Sequence, residues 1–285
     1  MTTDQMIAAC LQTDASQAAD LPKTAVAAES SAPLLSIRGL AVRFGGIVAL
    51  DNVSFDVKAG QICGLIGPNG AGKTTLLNCL SRLYQAGAGT IHFAGEPLLQ
   101  LPRHRVASLG IGRTFQNLAL FRTMSVRDNI LTGGHCRSRS GFVANALRLA
   151  IVGREERSLS ERATGLLEML ELAAIADVPV SALPVWRCKR VELARALAGE
   201  PKLLLLDEPA AGLTHADLGE LGDLIINIRD RLGITILLVE HHMSLVMRVS
   251  DQVVALNFGR KIADATPAEV QKNPDVIRAY LGGEL

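Results

Sequence analysis

The sequence predicts an α/β fold built on a parallel sheet, and three stretches predict it. The first is Ile62-Cys63-Gly64-Leu65-Ile66, which runs into Gly67-Pro68-Asn69-Gly70-Ala71-Gly72-Lys73-Thr74-Thr75 and then Leu76-Leu77-Asn78-Cys79-Leu80. This reads as an apolar strand, a glycine-rich turn and the start of a helix. The second is Leu203-Leu204-Leu205-Leu206, closed by Asp207-Glu208, and the third is Ile234–Val239, closed by Glu240-His241-His242. Continuous apolar runs are what strands buried on both faces look like. In open α/β sheets, ligands sit at the carboxyl ends of such strands.

The turn at Gly67–Thr75 fits G-x-x-x-x-G-K-[ST] between a strand and a helix, the context that gives this pattern its meaning. Glycines let successive backbone N–H groups face inward on phosphate, and the helix N-terminus adds partial positive charge. Lys73 is positioned to neutralise β- and γ-phosphates, and the Thr74 hydroxyl to ligate Mg²⁺. On the second strand, Asp207 is a candidate for holding that ion through water, and Glu208 for polarising a hydrolytic water as general base. An Asp-Glu pair alone carries no information; after this loop and on such a strand it does.

Composition bounds the rest. The 285 residues suffice for one large or two small domains; 48% are hydrophobic and 20% charged, ordinary globular values. A net charge of +1 gives no electrostatic case for a nucleic acid partner. Five scattered cysteines lack C-x-x-C spacing, which argues against zinc or a disulfide framework and fits reduced thiols. No run approaches the ~18 apolar residues of a membrane span, and no basic region opens the chain.

In chain order, residues 1–33 are rich in Ala, Ser, Thr and Asp and read as a mobile leader, with one weak helix near Met6–Leu11. Leu35–Phe44 and Val53–Val57 read as strands, separated by Gly45-Gly46 and the pair Asp51-Asn52. Phe44 fits either an adenine-stacking or a core aromatic. Thr90–Phe93 is a further strand, and Gly95-Glu96-Pro97 a turn. Ile111–Phe115 leads into Gln116, an amide that could reach a metal or an attacking water, or lie on the surface. Asn129–Ala173 reads as mostly helical, with Leu166, Leu167, Leu170 and Leu172 on an apolar stripe; the arginines at 137, 139, 148, 154 and 157 read most simply as a solvated face, and otherwise as a docking surface. Ala216–Leu232 is amphipathic, with Leu218, Leu221, Leu224, Ile225, Ile228 and Leu232 inward. His241, at a strand's carboxyl end, could meet a γ-phosphate or be structural. Val253–Asn257 and Arg260–Ala263 complete the strands. Thr266, Pro267 and Glu269 start a closing helix.

Together these pieces resemble the ATPase subunits of ABC transporters over about residues 34–285. Phe44 matches the adenine-stacking aromatic, Gly67–Thr75 the Walker A loop, Gln116 the Q-loop glutamine, and Leu203–Glu208 the Walker B strand with its catalytic glutamate. Ala211-Gly212-Leu213 matches the D-loop and His241 the switch histidine. The resemblance implies a P-loop NTPase of ABC type: a RecA-like core, an antiparallel β subdomain, and an inserted α-helical subdomain at about 117–198. It implies ATP and Mg²⁺, with Thr74, Gln116 and Asp207 toward the metal and Glu208, His241 and Gln116 in catalysis. Phe44-Gly45-Gly46, Gly112-Arg113-Thr114-Phe115-Gln116-Asn117, Leu120-Phe121, Asp207–Leu213 and the tail Asn273–Gly282 are similar to the larger ATPase subunit of branched-chain amino acid importers. Such subunits pair with a second ATPase subunit on two membrane permease subunits, fed by a periplasmic solute-binding protein. They sit peripherally on the cytoplasmic side of the inner membrane.

One motif departs. Where the family carries Leu-Ser-Gly-Gly-Gln, or Tyr-Gly-x-Gln in this branch, the chain reads Leu183-Pro184-Val185-Trp186-Arg187-Cys188-Lys189-Arg190. In the family this signature closes over the γ-phosphate held by the partner's Walker A, and its small glycine permits the approach. Two explanations stand. The chain may be the degenerate member of an asymmetric pair, in the extreme a regulatory subunit impaired in catalysis. Alternatively, two compensating single-base slips have rewritten a Tyr-Gly-Val-Gln stretch as Val185–Cys188.

Overall fold

The computed structural model describes residues 32–115, 118–137 and 150–281. The leader, all but its last two residues, lies outside that range, as do Gln116, Asn117, Arg139 and Arg148.

Two sheets organise the fold. The smaller is antiparallel, in the order β2-β1-β4-β5, from β1 (Leu35–Phe44), β2 (Ile47–Val57), β4 (Ala88–Phe93) and the two-residue β5 (Glu96–Pro97). The larger runs β10-β9-β3-β8-β7-β6, from β3 (Ile62–Ile66), β6 (Ile111–Arg113), β7 (Leu203–Asp207), β8 (Thr235–Val239), β9 (Gln252–Asn257) and β10 (Arg260–Ala265). Its five strands from β9 to β6 are parallel, and β10 turns back antiparallel beside β9.

β3, β7 and β8 are buried at every position, as their apolar runs require, and Asp207 and Thr235 are buried with them. Their alternate residues serve different cores. Leu204, Leu206, Ile236 and Leu238 face the helices α6 (His215–Leu232), α5 (Val185–Ala198), α4 (Ala150–Met169) and α3 (Val126–Gly133). Leu203, Leu205, Leu237 and Val239 face α1 (Lys73–Leu80) and the antiparallel sheet. A third cluster joins Ile66, Val253 and Ala255 to α7 (Met243–Val249), α8 (Pro267–Lys272) and α9 (Pro274–Leu281). The remaining described α-helix, α2 (Arg105–Leu109), precedes β6.

Several expectations shift. β2 is continuous from Ile47, so Asp51-Asn52 does not separate strands. Asn52 adopts φ 55°, and the β1–β2 register slips three times between Ile37 and Arg43, so the pair is absorbed as irregular ladder. The turn before β5 is Ala94-Gly95, both at positive φ, while Glu96-Pro97 pairs with β4. The helical stretch beginning near Asn129 divides into α3, a 3₁₀ turn over Gly134–Arg137 and α4. Leu166, Leu167, Leu170 and Leu172 are buried there. Leu232 is exposed rather than inward, because α6 ends at the left-handed Gly233. Arg137 is tied to Glu200 at 2.8 Å instead of being merely solvated.

Candidate nucleotide-binding and hydrolytic site

Parallel strands deliver their carboxyl ends to one edge of the sheet. Leu65 of β3 pairs with Val239 of β8, and Val239 pairs with Asp207 of β7. The loop from Gly67, the Asp207-Glu208 pair and Glu240-His241 therefore emerge side by side.

The loop's shape explains its glycines. Gly67, Gly70 and Gly72 have φ of 151°, 81° and 101°. A Cβ on Gly67 would meet the Leu256 carbonyl oxygen at 2.3 Å, and one on Gly72 the Ala49 oxygen at 2.6 Å, so β9 and β2 press directly on the loop. Pro68 is half-buried and Asn69 and Gly70 exposed at its tip; Ala71 is buried, its N–H bonded to the Pro68 carbonyl. The Lys73 ammonium is buried and donates to the Gly67 and Pro68 carbonyls at 2.5 and 2.9 Å. Burial lowers its pKa, while the charges of Glu208 and Asp207 oppose that shift. The electrostatics thus tie the lysine to both carboxylates across the strands. Thr74 is exposed and Thr75 half-buried in the first turn of α1. The donor set available here, threonine hydroxyl and carboxylate oxygens, is hard and suits Mg²⁺.

Asp207 is almost wholly buried, and its Oδ2 accepts from Arg113 at 2.9 Å in an ion pair whose side chains are 8% and 4% exposed. Arg113 also donates to Asn78 Oδ1 and Ser81 Oγ of the α1 segment, and stacks over the Phe115 ring at 5.0 Å. Glu208 is half-buried at φ 50°, its N–H bonded to the Val239 carbonyl and its own carbonyl reached by Lys189 at 3.5 Å. His241 presents a side chain 52% exposed. Beneath it Glu240, fully buried, accepts from the Ala210 N–H at 2.7 Å and from the His241 and His242 N–H groups at 3.1 and 3.4 Å.

Phe44 is 45% exposed, so the core alternative is excluded; its ring meets Tyr84 edge-on at 5.0 Å. Gln116 lies outside the described residues, yet its approach is braced: the Thr114 N–H bonds to the Leu205 carbonyl, and the Phe115 N–H donates to Glu192 at 3.2 Å. Burial raises the Glu192 pKa.

At the departed signature, α5 starts at Pro184 with no side-chain cap. Trp186 is 42% exposed and carries the guanidinium groups of Arg187 and Arg190 at 4.9 and 5.4 Å from its ring centre. Cys188 is buried against the Val180 and Leu183 carbonyls. The slipped-frame account fails as framed: one extra base ahead of Tyr-Gly-Val-Gln codons does read Val-Trp-Arg. The next codon must then end in C-A, which encodes Ser, Pro, Thr or Ala and never Cys188.

Sequence reasoning gave no role to Arg113, Glu240 or Tyr280. The Tyr280 hydroxyl accepts the Gly67 N–H at 2.7 Å from α9, and burial pushes its pKa up to about 12. Only the β6–β7 and β7–β8 registers and the docking of α9 reveal these links.

Residues 50–211 match the ABC transporter family, and residues 260–285 the branched-chain amino acid ATP-binding cassette transporter family. The high-affinity branched-chain amino acid transport ATP-binding protein BraF of Pseudomonas aeruginosa is 42% identical over 252 residues, spanning 88% of this chain and 99% of its own length. LivG of Escherichia coli K12, of the same description, matches equally. A crystal structure of the ADP conformation of an ATP-binding cassette of an ABC transporter superposes with a TM-score of 0.77 at 29% identity, covering 89% of this chain and 100% of that one. The cassette architecture agrees with both kinds of relative, and the chain belongs to the ABC transporter family as an ATP-binding, ATP-hydrolysing subunit.

Proposed function

We propose that this subunit powers an importer of branched-chain amino acids or a related small solute, working at the cytoplasmic side of the inner membrane. Among the described residues no helix is long and apolar enough to cross a membrane. In this reading translocation falls to two permease subunits, engaged together with a second ATPase subunit and served by a periplasmic binding protein. The convergence of Lys73, Asp207, Glu208 and His241 at one sheet edge carries the reading.

Each group has a task that its surroundings favour. The loop amides and Lys73, leaving its two carbonyls, bind the β- and γ-phosphates. Thr74 and Asp207, with Gln116, would hold Mg²⁺, which would supply charge neutralisation at the phosphates. Arg113 fixes the Asp207 carboxylate. Glu208 takes a proton from the attacking water, and His241 steadies the γ-phosphate. Phe44, on its exposed edge beside Tyr84, stacks on adenine. Glu208→Gln in the assembled transporter is expected to retain ATP and lose about 10²–10⁴-fold in hydrolysis together with solute uptake. Unchanged hydrolysis would refute the assignment.

Trp186 favours a second reading, in which this subunit is the impaired half of an asymmetric pair. An indole flanked by two guanidinium groups stands where a glycine would admit the partner's phosphate. Trp186→Gly should then raise the complex's hydrolysis rate, whereas an unchanged rate would count against Trp186 as the block.

A further inference from the structure

The densest set of metal-ligating side chains among the described residues is Glu240, His241 and His242, immediately after β8. One ligand atom from each lies within 4.8 Å of the other two. Glu240 Oε2 is 3.0 Å from His242 Nδ1 and 3.8 Å from His241 Nδ1. The imidazole rings lie 4.2 Å apart, tilted by 37°. In a tetrahedral site with metal–N and metal–O lengths of about 2.0–2.2 Å, neighbouring ligand atoms sit roughly 3.3 Å apart. The two observed N···O separations bracket that value.

The arrangement is built rather than incidental on one side. The carboxylate is fully buried and held by three backbone N–H groups, which supply the outer support that orients a metal-bound oxygen. The imidazoles are partly exposed, giving an ion a way in and leaving its fourth position to water. Two imidazoles and one carboxylate suit a borderline transition ion and are a poor match for Mg²⁺, whose preference is for oxygen.

We infer that Glu240, His241 and His242 form a site for zinc or a similar divalent transition ion, and that filling it restrains hydrolysis. The site stands on its own geometry; its effect on turnover rests on the role proposed above for His241. An ion at His242 Nδ1, 3.0 Å from Glu240 Oε2, displaces any proton shared between the two, and that proton passes to solvent. His241 Nδ1, drawn toward the ion beside Glu240, is withdrawn from the nucleotide edge.

The test titrates the full chain with ZnCl₂ and with CoCl₂, alongside His242→Asn. Asparagine can still donate to Glu240 but offers no imidazole. Wild type should bind one zinc with release of protons, and His242→Asn at least ~10-fold more weakly. His241→Asn, altered at a mostly exposed side chain, should show the same loss and guards against a folding defect at His242. The cobalt complex should show d–d bands without thiolate charge transfer. Equal zinc affinity in all three proteins, or a thiolate band, overturns the site. Bound zinc should also depress ATP hydrolysis by wild type and spare His242→Asn; zinc that binds without slowing wild type overturns the restraint. A wild type inactive even without zinc would instead count against the hydrolytic role, while the titration still reports on the site.

Discussion

Arg113 shows how much a single buried cation can be asked to hold. It connects Asp207, Asn78 and Ser81, and so the metal-side carboxylate of β7 to the helix behind the phosphate loop. A buried pair gains little over an apolar one, but removing one partner strands the other's charge. Arg113→Met should therefore cost about 3–5 kcal/mol, read as a lower denaturation midpoint. Residue-level legibility was uneven for a physical reason. Lys73 and Thr74 sit in a local pattern whose spacing is itself the geometry. Arg113 meets Asp207 across 94 positions, through the pairing of β6 with β7, and nothing in its neighbourhood announces the partner. On spacing alone Phe44 suits either core or ligand; the family resemblance favours the ligand role, and its exposure beside Tyr84 agrees with that.

Among the elements, helix starts were the most readable because their chemistry is local. Thr266, Pro267 and Glu269 form the expected cap of α8, and Thr214 with Asp217 closes a second capping box on α6. The Asp217 carboxyl is held below its usual range by Thr214, first through the hydroxyl and then through the backbone N–H. Thr214→Ala should lower stability by about 1 kcal/mol, measurable by thermal unfolding. The buried strands β3, β7 and β8 are equally plain, since each carries a run of at least four apolar residues buried at every position. β2 was not, because its Asp51-Asn52 pair has turn composition but is held by its neighbours: the Asp51 N–H bonds to the Gly259 carbonyl, and Arg260 pairs with its carboxylate at 2.7 Å. Leu232 failed for a related reason. Its spacing continues the apolar stripe, but the last turn of α6 projects past the surface it packs on.

At the scale of the whole molecule, three hydrophobic clusters share one sheet, and the third is completed by the C-terminal helices. Tyr280 belongs to that cluster while its hydroxyl accepts from Gly67, so packing of the tail and the shape of the phosphate loop are linked. The linkage has a pH signature. The phenol's pKa is raised to about 12 from 10.0 by burial, a shift that the Gly67 N–H partly offsets. A raised value in the folded state means the stabilisation is complete below pH 10.0 and is lost as pH climbs to about 12. Tyr280→Phe should be less stable than wild type by ~1 kcal/mol at neutral pH, and the gap should narrow or reverse over that window. A constant gap in pH-dependent denaturation would count against the link. The resemblance to known cassettes outlined this architecture from ordered motifs, but a hydrogen bond spanning 213 positions has no local trace.

That span bears on how the protein is made. Gly67 leaves the ribosome early and waits without the partner for its N–H until Tyr280 has been translated, some 213 residues later. Until that segment emerges, the first amide of the phosphate loop lacks the acceptor it has in the folded chain.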